Sequence, residues 1–296
     1  MTMRIATQPS PPQASVFRAA LWMGGWLALM LTMAVAGRET ASRLDVFQVM
    51  ELRAFIGFAL LQPLVMKAGG WRAMRSSRPL RHLSRNMVHY AAQYAWLLAV
   101  TLIPLAQVIS IEFTMPIWTA VLAYFFLGES MNRFKAAAIA LGLVGVVMIV
   151  RPVTGDVSLG QFVSLSAAVG FAISVVLVKS LTRTDSPVAI IFWMLIIQAA
   201  IGLVPSFLVW QPVPADLWPW IVLVAFCGTF SHFCMAKAMT HADATVVVPM
   251  DFLRVPLTAL VGWLVYAELI DVWTVAGAAL ILTGNLLNLK KPAPNG

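Results

Sequence analysis

Two carboxylates, Glu112 and Asp251, and one guanidinium, Arg254, stand inside long apolar stretches of a chain in which only 11% of residues are charged. An ionisable group at the centre of an apolar helix costs about 2.5 to 3.5 kcal/mol on insertion scales, so it is kept with a partner or a task. On a helix, Glu112, Pro116 and Thr119 share one face, and Asp251, Arg254 and Thr258 share another. Asp251 has an ion-pair candidate one turn on in Arg254, whose planar fork suits a carboxylate and still offers donors to a second one. Glu112 has no such partner on its own segment. Pairing with Arg53, sharing a proton and receiving the ammonium group of an amino acid are all open to it.

A second polar stripe, Asn86, His89 and Gln93, recurs at helical spacing, with His232 as a related position further along. These side chains could line a solute path, although a histidine on an apolar helix also serves as a hydrogen-bonded contact between helices. Tyr94, Trp96 and Trp118 could form an aromatic wall for an apolar side chain or a cation. Packing or the interfacial aromatic belt is the competing use of such rings, and is the reading adopted for Trp96 and for Trp71, Trp218, Trp220 and Trp273 near span ends. Cys227 and Cys234 lie seven residues apart on one helix, too far for a disulfide. No phosphate-cradling glycine loop, zinc-ligand spacing or nucleophile elbow is present. No cofactor and no metal are expected, ATP-driven transport and hydrolysis are disfavoured, and a membrane-embedded enzyme survives only as a lesser alternative.

The elements that hold these residues are set by composition. Of 296 residues, 60% are hydrophobic, and the mean hydropathy is +0.86. A soluble domain carries about 25% charged residues, whereas about 20 apolar residues cross a bilayer as a helix. Ten such stretches are expected, near 17–37, 46–66, 86–103, 105–127, 133–150, 158–179, 187–209, 217–239, 243–266 and 271–289. Basic residues favour the cytoplasmic side of short loops. Lys67, Arg72, Arg75, Arg78, Arg81 and Arg85 place the second loop there, and Arg133, Lys135, Lys179, Arg183, Lys290 and Lys291 agree if both termini are cytoplasmic. The +8 net charge is then a topology signal that also attracts anionic lipid, and a nucleic-acid partner is not expected.

The chain also repeats itself at an offset of 139 residues. Ala99 meets Ala238, Thr101 meets Thr240, Phe113 meets Phe252, Thr119 and Ala120 meet Thr258 and Ala259, and Gly145 meets Gly284. Glu112 faces Asp251, Gln93 faces His232, and Glu129 faces Glu268. Five spans per copy is an odd number, so the second copy enters the membrane inverted, a recurring plan of secondary transporters. The expected division is a tail at 1–15, repeats at 16–153 and 154–291, and a tail at 292–296, in an all-α membrane protein of ten transmembrane helices. Glu112 is placed toward the outer third and Asp251 toward the inner third of a shared cavity. Glu129 and Glu268 precede the next helix, where a carboxylate caps free N–H groups.

Pro116-Ile-Trp-Thr-Ala120 followed by Leu127-Gly-Glu129, and Gly142-Leu-Val-Gly145 through Arg151-Pro152, resemble signatures of the EamA-type branch of the drug/metabolite transporter superfamily. The second copy departs from it, with Tyr266-Ala-Glu268 in place of Leu-Gly-Glu and Pro256 shifted by one place. The resemblance implies a multi-pass inner-membrane carrier of small metabolites, with amino acids and export favoured. Import of a nucleotide-like cofactor and multidrug export are its alternatives. Oligomeric state is not indicated. The expected solute or coupling residues are Glu112, Asp251, Arg254, His232, Gln93, His89, Tyr94, Trp118, Thr119 and Thr258.

Overall fold

The computed structural model describes residues 16–127, 133–150, 158–181, 184–241 and 250–288. Among these residues every regular element is helical. In chain order the α-helices are α1 (Val16–Ala41), α2 (Val46–Lys67), α3 (Pro79–Leu102), α4 (Leu105–Glu112), α5 (Met115–Leu127), α6 (Arg133–Val150), α7 (Leu159–Leu181), α8 (Pro187–Leu208), α9 (Trp218–His241), α10 (Arg254–Tyr266) and α11 (Val272–Asn288). Six segments are long and apolar enough to cross a membrane: Phe17–Ala41, Val46–Lys67, Leu105–Leu122, Leu159–Val178, Pro187–Leu208 and Ala215–Met235. Shorter apolar helices cover Ala136–Val150, Arg254–Tyr266 and Val272–Leu287.

Local chemistry sets the helix ends. Asp45 begins α2 by accepting from the Phe47 N–H at 2.8 Å, and Ser186 begins α8 by accepting from the Ala189 N–H at 3.2 Å. Pro104 separates α3 from α4, as its missing N–H predicts. The stretch expected as one span at 105–127 is broken: α4 stops at Glu112 and α5 starts at Met115, with a turn at Phe113 and Thr114. The same break recurs one copy later, where the chain turns at Phe252 and Leu253 before α10. Pro116 and Pro256 lie just beyond these turns, and each lacks the N–H that would continue the ladder.

The surface is apolar and the interior holds the polar groups. Phe207 is 79% and Leu208 77% exposed, whereas Gln48 and Asn86 are wholly buried. That inversion of the soluble pattern is what a lipid solvent imposes, since polar groups must then find partners inside. The described helices thus form a multi-pass membrane protein.

Packing follows the repeat. α1 lies on α9 and α3 on α7, contacts that exchange when the two copies are exchanged. The pairs α2 with α8 and α6 with α11 each map onto themselves, and α4 also packs on α10, the counterpart of α5. At the α6–α11 crossing, a Cβ added to Gly145 would lie 2.6 Å from the Gly277 carbonyl oxygen, and one added to Gly277 would lie 2.6 Å from the Gly145 oxygen. Gly284 stands in the same way against the Ala138 oxygen, at 2.8 Å. Ile149 lies on Gly277, Gly145 on Ile281 and Ala138 on Gly284, so these two helices run antiparallel.

Gly145→Ala and Gly277→Ala should therefore destabilise the fold by about 1–3 kcal/mol, the range for overpacking a tight contact. Gly24→Ala, where an added Cβ meets nothing within 4 Å, should not. Thermal unfolding of the purified proteins in one detergent checks this, and equal midpoints would refute it.

Candidate functional site

The two helix breaks meet. Arg254, at the start of α10, donates through Nη2 to Glu112 Oε1 at 2.9 Å and to Asp251 Oδ2 at 3.4 Å. One guanidinium thus holds the duplicated pair of carboxylates, one from each copy. The position one copy before Arg254 is Met115, so the charge balance is not itself duplicated. Each acid has a second donor: Trp96 Nε1 reaches Glu112 Oε2 at 2.7 Å, and Trp26 Nε1 reaches Asp251 Oδ1 at 2.5 Å. Phe113 and Phe252, themselves duplicates, touch edge to face at 5.6 Å between centroids, and the Arg254 guanidinium lies 4.8 Å over the Phe113 ring. Arg254 is 5% exposed, and among the described residues its Nε and Nη1 have no acceptor. With all three groups ionised the cluster carries one net negative charge and unused donors. That combination suits a solute bearing both a cationic group and acceptors.

One turn along α3 a second cluster begins. Gln93 lies three residues before Trp96, and its Oε1 accepts from Arg53 Nη2 at 2.7 Å. The same Nη2 donates to Gln198 Oε1 of α8 at 2.9 Å. Towards the start of α3, Arg85 Nη1 donates to Asn86 Oδ1 at 2.7 Å, and Asn86 Nδ2 donates to the His82 carbonyl at 2.8 Å. His89 Nδ1 lies 3.2 Å from Ser174 Oγ of α7. On α2, Glu51 and Tyr90 of α3 both approach Gly202 of α8, where an added Cβ would lie 2.3 Å from Glu51 Oε2 and 2.8 Å from Tyr90 Oη. The polar groups form one continuous band through α8, α2, α3, α4 and α10.

The structure therefore brings together Glu112, Asp251 and Arg254, with Gln93 one turn before the Trp96 that donates to Glu112. It corrects the placement of the acids in outer and inner thirds, because both bond to the same guanidinium. Glu112 pairs with Arg254 and not with Arg53. Trp96, read as a packing residue, is a hydrogen-bond donor to Glu112. Tyr94 and Trp118 do not build a wall with it: Tyr94 stacks on Phe47 at 4.4 Å, and Trp118 Nε1 donates to Thr114 Oγ1 at 3.1 Å. Thr119 and Thr258 return their hydroxyls to the Met115 and Arg254 carbonyls, at 2.9 and 2.6 Å, which steadies the starts of the helices behind the breaks. His232 belongs to α9, with its side chain outside the described residues. Arg85, counted among loop charges, is buried inside α3. Trp26 and Gln198 were missed as partners, Arg53 bonds to Gln93 and Gln198 in place of the acid considered for it, and Pro116 with Pro256 was the signal for the breaks.

A further set of contacts ties α1 and α4 to the end of α10. Glu268 pairs with Arg38 of α1 and accepts from the Leu105 N–H at 2.9 Å. It caps the start of α4, whereas Asp271 caps the helix that follows it, accepting from the Trp273 and Thr274 N–H groups at 2.9 and 3.2 Å. Tyr266 donates to Glu39 at 2.9 Å, and Arg38 stacks 4.4 Å over the Tyr266 ring. Nearby, Gln48 and Gln211 exchange two bonds, and Arg43 pairs with Asp216. Glu129, the duplicate of Glu268, lies outside the described residues.

Residues 18–151 and 158–290 each match the EamA-like transporter family. The chain belongs to that family. It is 25% identical to an S-adenosylmethionine uptake transporter of Rickettsia felis, over 88% of this chain and 90% of the relative. It is 30% identical to a riboflavin transporter of Rhizobium johnstonii, over 79% and 78%, and 27% identical to a pseudopaline exporter of Pseudomonas aeruginosa, over 83% and 86%. A crystal structure of a protein aligns with a TM-score of 0.64 at 19% identity, covering 93% of this chain and 97% of that one, and shares the fold. Membership in this family makes the chain a transporter of small metabolites.

Removing the shared cation should be worse than removing either acid. Arg254→Gln leaves two buried carboxylates facing each other and should lose about 3–5 kcal/mol, the range for breaking a buried pair. Glu112→Gln keeps the Arg254–Asp251 bond and should lose less. A triple neutral variant, with Arg254→Gln, Glu112→Gln and Asp251→Asn, should recover part of the loss. Unfolding midpoints in detergent give the ranking, and a triple variant less stable than Arg254→Gln would contradict it.

Proposed function

We propose that this EamA-family chain is a secondary carrier of the inner membrane that moves a small amphoteric metabolite by alternating access. In this reading it has ten spans in two inverted five-helix repeats, at residues 16–153 and 154–291, with both terminal tails cytoplasmic. The observation that carries the proposal is the meeting of two broken helices around Glu112, Arg254 and Asp251. Discontinuous helices at the interface of inverted repeats are where secondary transporters hold their solutes. The antiparallel crossing of α6 and α11, centred on duplicated positions, supports inversion. Glu112, Asp251, Arg254 and Trp96 contact the solute, with Gln93 behind them. A solute ammonium would draw Glu112 or Asp251 away from Arg254, and its acceptors would engage the freed donors. Binding thereby loosens a bond between the copies, which is how a ligand biases two conformations.

Amino acids and their derivatives are the solute class that this arrangement favours, and export is the direction proposed. A second reading, uptake of a nucleotide-like cofactor, draws support from the names of the Rickettsia and Rhizobium relatives.

Counterflow in proteoliposomes, with amino acids, S-adenosylmethionine and riboflavin as trial solutes, tests the proposal. Wild-type protein should exchange at least one of them. Glu112→Gln and Asp251→Asn should each lower the exchange rate about tenfold or more, equivalent to about 1.4 kcal/mol, without reducing the amount inserted. Wild-type rates in both variants would remove the acids from the mechanism, and conduction of ions without exchange would replace the carrier by a channel.

A further inference from the structure

Among the described residues, two buried guanidiniums in the polar band form no ion pair with a carboxylate. Arg53 is 3% and Arg85 7% exposed. Among the described residues, their side-chain bonds run to amide oxygens alone, from Arg53 to Gln93 and Gln198 and from Arg85 to Asn86. The Nε of each arginine and Nε2 of Gln198 are buried without an acceptor. The two cations also act on each other electrostatically, so repulsion adds to the loss of hydration. Glu51, two residues from Arg53, forms no ion pair with either, because its carboxyl is turned to the space left by Gly202. Arg53 instead occupies the space left by Gly228 of α9, where an added Cβ would lie 2.9 Å from its Nη1.

Buried charges are kept when they are paired, and unpaired donors in a low-dielectric interior are costly. Two arginines held by neutral amides, with donors unused, are therefore arranged for a counter-ion that comes and goes. Arg85, His89, Gln93 and Trp96 share one face of α3, so such a counter-ion would lie on the same stripe that leads to Glu112. Residues 85 and 93 are about 12 Å apart along the helix at 1.5 Å per residue, a gap that two arginine arms can close from opposite ends.

We propose that Arg53 and Arg85, with the Gln198 amide, form an oxyanion subsite that takes the carboxylate or phosphate group of the transported solute. Arg85 can meet such an oxyanion with its parallel Nε–H and Nη2–H, whereas Arg53, whose Nη2 is held by Gln93 and Gln198, offers its Nε–H singly. The Arg254 cluster, one turn from Gln93 and about three turns from Arg85 along α3, then receives the other end of the same molecule, and the two sites together measure its length and charge pattern. The identity of the ligand as cargo rests on the carrier reading, whereas the subsite itself does not.

Binding to the purified full-length chain tests this through ligand-induced shifts of the unfolding temperature. The probes are a panel of amino acids, the matching amino acid amides, S-adenosylmethionine and inorganic phosphate. Amino acids should bind at least about tenfold more tightly than their amides, and Arg53→Gln and Arg85→Gln should each erase that preference. Arg43→Gln, which removes an exposed cation elsewhere, should leave it unchanged. Stabilisation by phosphate but not by amino acids would assign the subsite to phosphate-bearing solutes and uphold it. Should the glutamine variants fail to fold, Arg53→Lys and Arg85→Lys keep the charge, lose the fork and should still weaken binding severalfold. Equal binding of acids and amides, no binding of any oxyanion, or an unchanged preference in the variants would overturn the subsite. Failed counterflow with binding intact would sink the carrier reading and leave the subsite standing.

Discussion

One guanidinium shared by two carboxylates, deep among apolar helices, is the constraint on which the rest of this structure turns. Glu112 and Asp251 are the same position in two copies of one unit, and Arg254 holds both. Ionic groups at that depth persist only when their partners are in place, so the packing of α1, α3, α4 and α10 has to deliver them. The two indoles, the paired phenylalanines and the turns at Phe113 and Phe252 all serve that delivery. The breaks in the helices expose backbone groups, and one of these, the Phe113 carbonyl, is satisfied by Asn285 of α11 at 2.8 Å. A break that would otherwise be a defect becomes a fixed joint.

The asymmetry of the cluster matters as much as its symmetry. Duplication supplied two acids facing each other, a pair that repels when both are charged. A single substitution in one copy, arginine where the other has Met115, turns repulsion into a bond between the copies. One cation serves two anions, so neither is fully neutralised, and a second cation has a place. Arg53, bonded to Gln93 one turn from Trp96, and Arg85, about three turns from it along α3, present the opposite deficiency. The interior is thus divided into an electronegative and an electropositive region joined by Gln93 and Trp96.

The membrane character, the repeat and the identity of the acidic pair were legible in the sequence, because each rests on composition or on an offset that a single chain displays. Arg254 was legible as a partner of Asp251, being on the same face, but its shorter bond to Glu112 was not, since it crosses 142 positions of chain. Trp96 was misread for a similar reason. Nothing local distinguishes an indole that packs from one that donates to an acid brought in by another helix. The interruption of the fourth segment was written in Pro116 but masked by unbroken hydrophobicity on both sides. Glu268 was rightly suspected of capping a helix, yet the helix it caps, α4, lies in the other copy. Arg85 shows the limit of counting charges by loop, because a guanidinium in the second turn of a helix can fold inward instead of marking a membrane face.

The crossing of α6 and α11 adds a mechanical consequence. Its glycines bring two backbones into direct contact, and the contact maps onto itself when the copies trade places. Contacts such as α1 with α9 and α3 with α7 must trade character in that exchange, whereas this one has nothing to trade. It can act as an axle, carrying load without sliding, so that whatever motion the protein makes is forced into the helices on the far side of the bundle.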